Sequence, residues 1–300
     1  MASFTIDEIL TATGGRLLTG EERRKETIYG VCTDSRKVRP HDLFLALEGE
    51  NFDGHDFIAQ AVSAGASAVI TAKDVPMPPE VSVIKVPDTL VALGDLARFH
   101  RRRFRIPVIA VTGSNGKTTT KELIATVLGL KYQVVKTKLN FNNEIGLPLT
   151  LLEMNQSTEA VVVEMGMRGR GQISYLARIA EPTIGVITNV GLTHLELLGS
   201  KQAIAEAKAE LITALPANGT AILNGDDPLV AAMQSLFLGR TYFYGRKAEI
   251  LDLRAVEIAR SHPPARAGQL IMTDGKWGRF SFFLPLPGEH NVMNALAAVT

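Results

Sequence analysis

The stretch "PVIAVTGSNGKTTTKELIATVL", residues 107–128, leaves the fewest structural choices open. Pro107 to Val111 form a short, unbroken apolar run of the kind buried on both faces of a parallel sheet. Leu123, Ile124, Val127 and Leu128 then recur at helical spacing. Between them lie Gly113, Ser114, Asn115 and Gly116, followed directly by Lys117, Thr118 and Thr119. Strand, glycine loop, helix is the order that turns main-chain N–H groups toward one point at the positive end of a helix, where an anion fits. Lys117 would add a point charge on the β/γ-phosphates of a nucleotide, and the Thr118 hydroxyl would be a ligand for Mg²⁺. Against the full G-x-x-x-x-G-K-[ST] pattern the first glycine is missing, because Val111 stands five residues before Gly116. The loop is a variant.

Three hundred residues suffice for two domains of ordinary size, and a hydrophobic fraction of 46% suits a globular α/β chain. Charge is balanced, 32 Lys+Arg against 31 Asp+Glu, so no global field argues for nucleic acid or an anionic membrane. The basic run "RFHRRRFR", Arg98 to Arg105, reads as a solvated helix face or a linker. A single cysteine, Cys32, forms no internal disulfide and reads as a small buried thiol. No signal pattern opens the chain and no apolar run nears the roughly 18 residues of a membrane span, so a cytoplasmic monomer is expected.

Alternating strands and helices run to about Pro87: a helix at "FTIDEILTATGG" stopped by Gly14, strands at Ile28–Thr33, Asp42–Leu47, Ser67–Thr71 and Ser82–Val86, and a helix near His55–Ala64. This predicts a small α/β domain over 1–87 and a linker helix over 88–105. A doubly wound, mostly parallel sheet follows over 106–300, with strands at "AVVVEMG", "TIGVITNVG" and "TAILNGDDP". Ala248–Gly278 reads as a more irregular β region. The last helix, "GEHNVMNALAAVT", has no stop signal, so a cut at a domain boundary is expected.

Parallel sheets place their chemistry at the C-terminal ends of strands. Glu164 ends the apolar run Ala160–Val163, where a carboxylate would hold a metal or pair with a basic neighbour. His194, after the strand Ile184–Val190, would be a metal or phosphate contact or an ordinary loop histidine. Lys208 shares one helical stripe with Ile204, Leu211, Ile212 and Leu215. An inward lysine is unfavourable unless neutral, paired or modified; snorkelling along the helix edge is the alternative. Asn291 and Asn294, one turn apart, would present amides to one ligand or cap their helix.

Taken in order, "VTGSNGKTTTKE", "VEMGMRGRGQI", "NVGLTHLE", "EAKAEL", "LNGDDP" and "GEHNVMNALAA" resemble the Mur ligases of peptidoglycan synthesis. "TKLNFNNEIGLPLTLL" and "EMGMRGRGQISYLARIAEP" are similar to the branch that joins D-alanyl-D-alanine to UDP-N-acetylmuramoyl-tripeptide. The alternatives are the sister branch that adds the third-position amino acid, which shares the "DSR" and "DGH" strings, and a non-catalytic nucleotide-binding module. The resemblance implies a P-loop-type ATPase domain preceded by a UDP-substrate domain, and ATP-driven amide formation through an acyl phosphate. It implies that Lys117 contacts the γ-phosphate, Thr118 and Glu164 hold a first Mg²⁺, His194 a second, and Lys208 is carbamylated. Gly113 to Thr119 would hold the nucleotide phosphates, Asn291 and Asn294 would lie near adenine, and Asn140, Asn142 and Asn143 near the transferred phosphate and substrate. Ser35 and Arg36, in "TDSRKVRPHDLFLALEGENFDGHDF", would contact the UDP group, with a simple turn and a surface ion pair as the lesser alternative. The family's third, C-terminal domain, which supplies the dipeptide site, has no match in residues 1–300, so weak or absent ligation is expected of this chain alone.

Overall fold

The structure, a computed structural model, describes residues 2–49, 52–74, 80–193, 195–261 and 267–300. The chain divides into two compact units, residues 1–105 with 144–157, and 106–143 with 158–300.

In the first unit, the helix Ile6–Thr13 starts in a capping box: the Glu8 N–H donates to Thr5 Oγ1 and the Thr5 N–H donates to Glu8 Oε2. It stops at Gly14, whose φ of 63° is the left-handed conformation a helix end favours. A five-stranded sheet follows in the order Arg16–Thr19, Ser82–Lys85, Ala68–Thr71, Leu43–Leu45, Val31–Cys32, parallel except for its first strand. Its Phe44, Ala46 and Val69 pack with Ile58 and Ala61 of the helix Ile58–Ser63. Cys32 is half-buried rather than buried, and its thiol donates to the Asp34 carbonyl.

Two features depart from the division expected from sequence. The helix Thr89–Arg101, read as a linker, lies within the first unit because Ala92, Leu93, Leu96 and Ala97 form a buried stripe against the helices Ile6–Thr13 and Gly146–Leu151. Residues 144–157, read as part of the second unit, return to the first, where the Ala2 N–H donates to the Leu152 carbonyl. The basic run is structural. Arg101 is buried and donates to the Phe104 carbonyl, while Arg103 pairs with Glu8 at 2.8 Å and lies over the Phe4 ring.

The second unit carries a nine-stranded sheet. Its order is Phe280–Leu284, Gly268–Gly275, Leu253–Ser261, Arg240–Gly245, Thr220–Asn224, Ile184–Ile187, Val108–Thr112, Ala160–Glu164, Val134–Lys136. The seven strands from Leu253–Ser261 onward pair in parallel, and Gly268–Gly275 alone runs against the rest, pairing antiparallel with both of its neighbours. Side chains alternate across it. Ile109, Val111, Val162, Val186 and Ile222 share a core with Ile124 of the helix Lys117–Leu128 and with Val292 and Leu296 of the helix Glu289–Val299. On the opposite face, Gly185 lies against Leu211 and Leu215, at the end of the helix Lys201–Thr213. The sheet is thus covered on both faces, as the α/β reading required.

The segment expected to be a more irregular β region holds an antiparallel pair, Leu253–Ser261 with Gly268–Gly275, whose register shifts between Ala255 and Glu257. Buried Gln269, Ile271 and Thr273 alternate with exposed Leu270 and Met272, a half-buried pattern that polar core residues disguise in the sequence. No helix among the described residues is long and apolar enough to cross a membrane.

Leu151, fully buried, tests the unit assignment. Leu151→Ala is expected to destabilise the first unit by about 2–5 kcal/mol. Hydrogen exchange should quicken at Leu43–Leu45 while Ala160–Glu164 keeps its protection.

Candidate functional site

Parallel pairing fixes where the chemistry-bearing groups of the second unit meet. Val111 pairs with Glu164 and Thr112 with Ile187, so the C-terminal ends of three strands lie side by side. The glycine loop leaves the middle one. At Gly113, φ is 153° and a Cβ would lie 1.8 Å from Thr188 Oγ1. At Gly116, φ is 81° and a Cβ would lie 2.3 Å from Asn294 Oδ1. Only glycine fits either place.

The adjoining strand end holds the loop from one side. The Ser114 N–H donates to the Asn189 carbonyl, the Asn115 N–H to Asn189 Oδ1, and Thr188 Oγ1 to the Asn115 carbonyl at 2.7 Å. The Ser114 hydroxyl accepts from the Gly191 N–H. Thr188 and Asn189 were not singled out in the sequence, although they lie near the C-terminal end of the predicted strand Ile184–Val190.

Glu164 is a buried carboxylate, 2% exposed, that meets the loop's helix at Thr118. Thr118 Oγ1 donates to its Oε2 at 2.8 Å and the Asn142 amide to its Oε1 at 2.7 Å. Its own N–H donates to Thr137 Oγ1. Asn142 is therefore in the cluster, whereas Asn140 and Asn143 are exposed. Lys117 is half-buried and donates to the Gly113 and Ser114 carbonyls at 3.0 and 3.2 Å. Burial lowers its pKa, and Glu164 partly opposes that shift. Thr119 is half-buried beside it.

Lys208 lies inward, as its stripe predicted, at 1% exposure. Among the described residues its ammonium group has no hydrogen-bond or ion-pair partner. Burial first, and the positive charge of Lys117 second, push its pKa down to about 7. Asn294 is buried, accepts from Thr120 Oγ1 and donates to Asn291 Oδ1, so the two asparagines do form one amide pair beside Gly116. Asn291 does not cap its helix through the N-cap position, which Gly288 occupies. His194 lies outside the described residues. Among those described, no three His, Cys, Asp or Glu side chains gather as a ready metal cage.

The first unit has its own candidate, a cavity of about 590 Å³ lined by Thr33, Ser35, Arg36, Phe44, Phe57 and Gln60 among others. Ser35 is buried and its hydroxyl donates to Gln60 Oε1 at 2.8 Å. Arg36 is exposed and forms two hydrogen bonds to Asp34, whose carboxyl it holds well below the usual range. Asp34 also caps the short 3₁₀ turn Ser35–Lys37, so a turn with an ion pair and a cavity wall are one object.

The Mur ligase middle domain matches residues 111–300, and the Mur ligase family catalytic domain matches residues 27–101. The chain belongs to the Mur ligase family. Among curated Mur ligases, the UDP-N-acetylmuramoyl-tripeptide–D-alanyl-D-alanine ligase of Bacillus subtilis (strain 168) is 44% identical over 300 residues, which span all of this chain and 63% of that protein. Among solved Mur ligases, MurF from Acinetobacter baumannii is 33% identical with a TM-score of 0.91, and covers all of this chain, which spans 64% of its length. MurF from Thermotoga maritima in complex with ADP is 32% identical with a TM-score of 0.81, over 90% of this chain and 61% of its own. The chain thus spans less than two thirds of these Mur ligases.

Two outcomes are expected. Gly113→Ala should destabilise the second unit by roughly 1–3 kcal/mol, read as a lower urea midpoint, because a Cβ there meets Thr188 in a strained backbone region. Lys208→Met should raise the melting temperature by on the order of several °C at pH 7 in CO₂-depleted buffer. The folded lysine titrates near 7 and the unfolded one near 10.5, so the unfolded chain holds the extra proton between them. Wild-type stability therefore rises with pH across that window. The advantage of Lys208→Met should shrink as pH climbs from about 7 to about 10.5 and be constant below it.

Proposed function

We propose that this chain forms the UDP-substrate and ATP-binding parts of a cytoplasmic ligase that joins D-alanyl-D-alanine to UDP-N-acetylmuramoyl-tripeptide in peptidoglycan precursor synthesis. The observation that carries the reading is Glu164, a buried carboxylate clasped by Thr118 and Asn142 beside a loop with no room for a side chain at Gly113 or Gly116. The names of the similar ligases from Bacillus subtilis and Acinetobacter baumannii support the acceptor and substrate, and the ADP complex of the Thermotoga ligase supports the nucleotide.

The residues fit Mg²⁺ and a nucleotide triphosphate. Gly113 to Thr119 would hold the phosphates, with Lys117 leaving the loop carbonyls for the γ-phosphate; Thr118 and Glu164 would hold one Mg²⁺, with His194 assigned to a second. Asn291 and Asn294 are assigned to the adenine side, and Ser35 and Arg36 to the UDP group in the first unit's cavity. Asn140, Asn142 and Asn143 are assigned to the transferred phosphate and substrate. ATP would convert the tripeptide carboxylate to an acyl phosphate, and the dipeptide amine would then displace phosphate. Positioning and charge neutralisation supply most of such catalysis.

Lys208 fits a further part of the reading. A donor set with Glu164 as its only carboxylate is thin for a hard cation. The neutral amine of Lys208 would add CO₂ and release one proton, giving a carbamate that supplies a second carboxylate-like group. A pKa of about 7 leaves much of the amine neutral at physiological pH.

The dipeptide site is assigned to the part of the relatives that this chain does not span. Calorimetry should therefore show binding of UDP-N-acetylmuramoyl-tripeptide and, separately, of an ATP analogue with Mg²⁺, while dipeptide-dependent phosphate release is slow or absent. Lys117→Ala should weaken nucleotide binding ten- to hundredfold, the equivalent of one charge-assisted contact. Nucleotide binding without UDP-substrate binding would reduce the chain to a nucleotide-binding module, and full-rate ligation would overturn the assignment of the dipeptide site.

A further inference from the structure

Lys121 is 0% exposed, as deeply buried as Lys208, but its surroundings are opposite. Its Nζ donates to the Thr137 carbonyl at 2.7 Å and to the Leu139 carbonyl at 3.5 Å, and pairs with Glu122 Oε1 at 3.0 Å. Glu122 pairs in turn with Lys136. Each of the three ammonium protons has an acceptor, which is what a buried lysine requires.

The carbonyls it grips belong to the segment that leaves the strand Val134–Lys136 and carries Asn142. Thr137 is buried, gives its N–H to the Val162 carbonyl and receives the Glu164 N–H on its hydroxyl. Leu139 has a φ of 50°, the left-handed region a leucine adopts only when its surroundings hold it there. Three residues on, the Asn142 amide reaches Glu164 and the Asn142 carbonyl accepts from the Gly166 N–H. A Cβ on Gly166 would lie 2.7 Å from Asn142 Oδ1, so the amide sits in space that only a glycine at 166 leaves open.

We propose that Lys121 is a positioning residue for the metal–nucleotide site. Its ammonium group ties the 137–142 segment to the helix bearing Lys117 and Thr118, so that Asn142 and Thr118 grip Glu164 from both sides. The inference rests on the reading of Glu164 as a metal ligand, but its structural half stands without it. Groups that orient a metal's ligand typically change metal affinity 10- to 100-fold when lost.

The test uses Lys121→Met, which keeps volume and removes the donors, and Lys121→Arg, which restores donors and charge. In the ligand-free protein, Lys121→Met should speed hydrogen exchange at the amides of Phe141 and Gly166 beyond any change at Val108–Thr112. In the presence of ADP it should raise the apparent Mg²⁺ dissociation constant about tenfold. Lys121→Arg should recover part of both. Adding Asn142→Ala to Lys121→Met should change the Mg²⁺ constant little further, since both act through one contact. Equal exchange changes everywhere, or full additivity of the two substitutions, would overturn the proposal. If wild type binds no Mg²⁺-nucleotide, the reading of the site fails while the exchange result still decides the tie. Should Lys121→Met not fold, exchange of the wild-type Lys121 ammonium protons decides: slow exchange supports the tie, and exchange as fast as at exposed lysines overturns it.

Discussion

Parallel register is the constraint on which the second unit depends. Pairing of Val111 with Glu164 and of Thr112 with Ile187 brings three strand ends level. Because side chains alternate, a slip of one residue would carry Glu164 to the other face of the sheet and away from Thr118. The same register seats Thr188 against Gly113, where backbone meets side chain with no space for a Cβ. Loop shape and carboxylate position are therefore consequences of one hydrogen-bond ladder, and neither is adjustable alone.

Three lysines then divide the electrostatic work according to their partners. Lys121 is saturated by carbonyls and a carboxylate, so it acts as a fixed strut. Lys117 rests on two loop carbonyls that a more strongly charged acceptor would outcompete. Lys208 has none of these among the described residues, and with Lys117's charge nearby its proton is held loosely. Burial is the same kind of force in all three cases; what differs is how much of the lost hydration is replaced.

Much of this was legible in the residues because it is local. The glycine loop, the strand before it and the stripe that turns Lys208 inward are patterns within one or two elements. Lys121 carried the same signal, sharing a face with Ile124 and Leu128, and was masked by the more familiar Lys117 beside it. Thr137, Thr188 and Asn189 were not legible, since small polar residues gain their meaning only from the strand that lands next to them. The return of residues 144–157 to the first unit was hidden for a related reason. An apolar helix shows in sequence that it packs, but not against which core.

The amide of Asn294 stands over Gly116 and accepts from Thr120, across 174 residues of chain. The helix Glu289–Val299 shares one core with the helix that follows the glycine loop. During synthesis the loop's own strand and helix emerge long before this cover does; at ribosomal rates the interval is roughly 10 to 35 seconds. A nascent chain must therefore carry an uncovered apolar helix face for that time, which makes this face the natural point of engagement for chaperones and the place where premature termination leaves the unit most prone to aggregate.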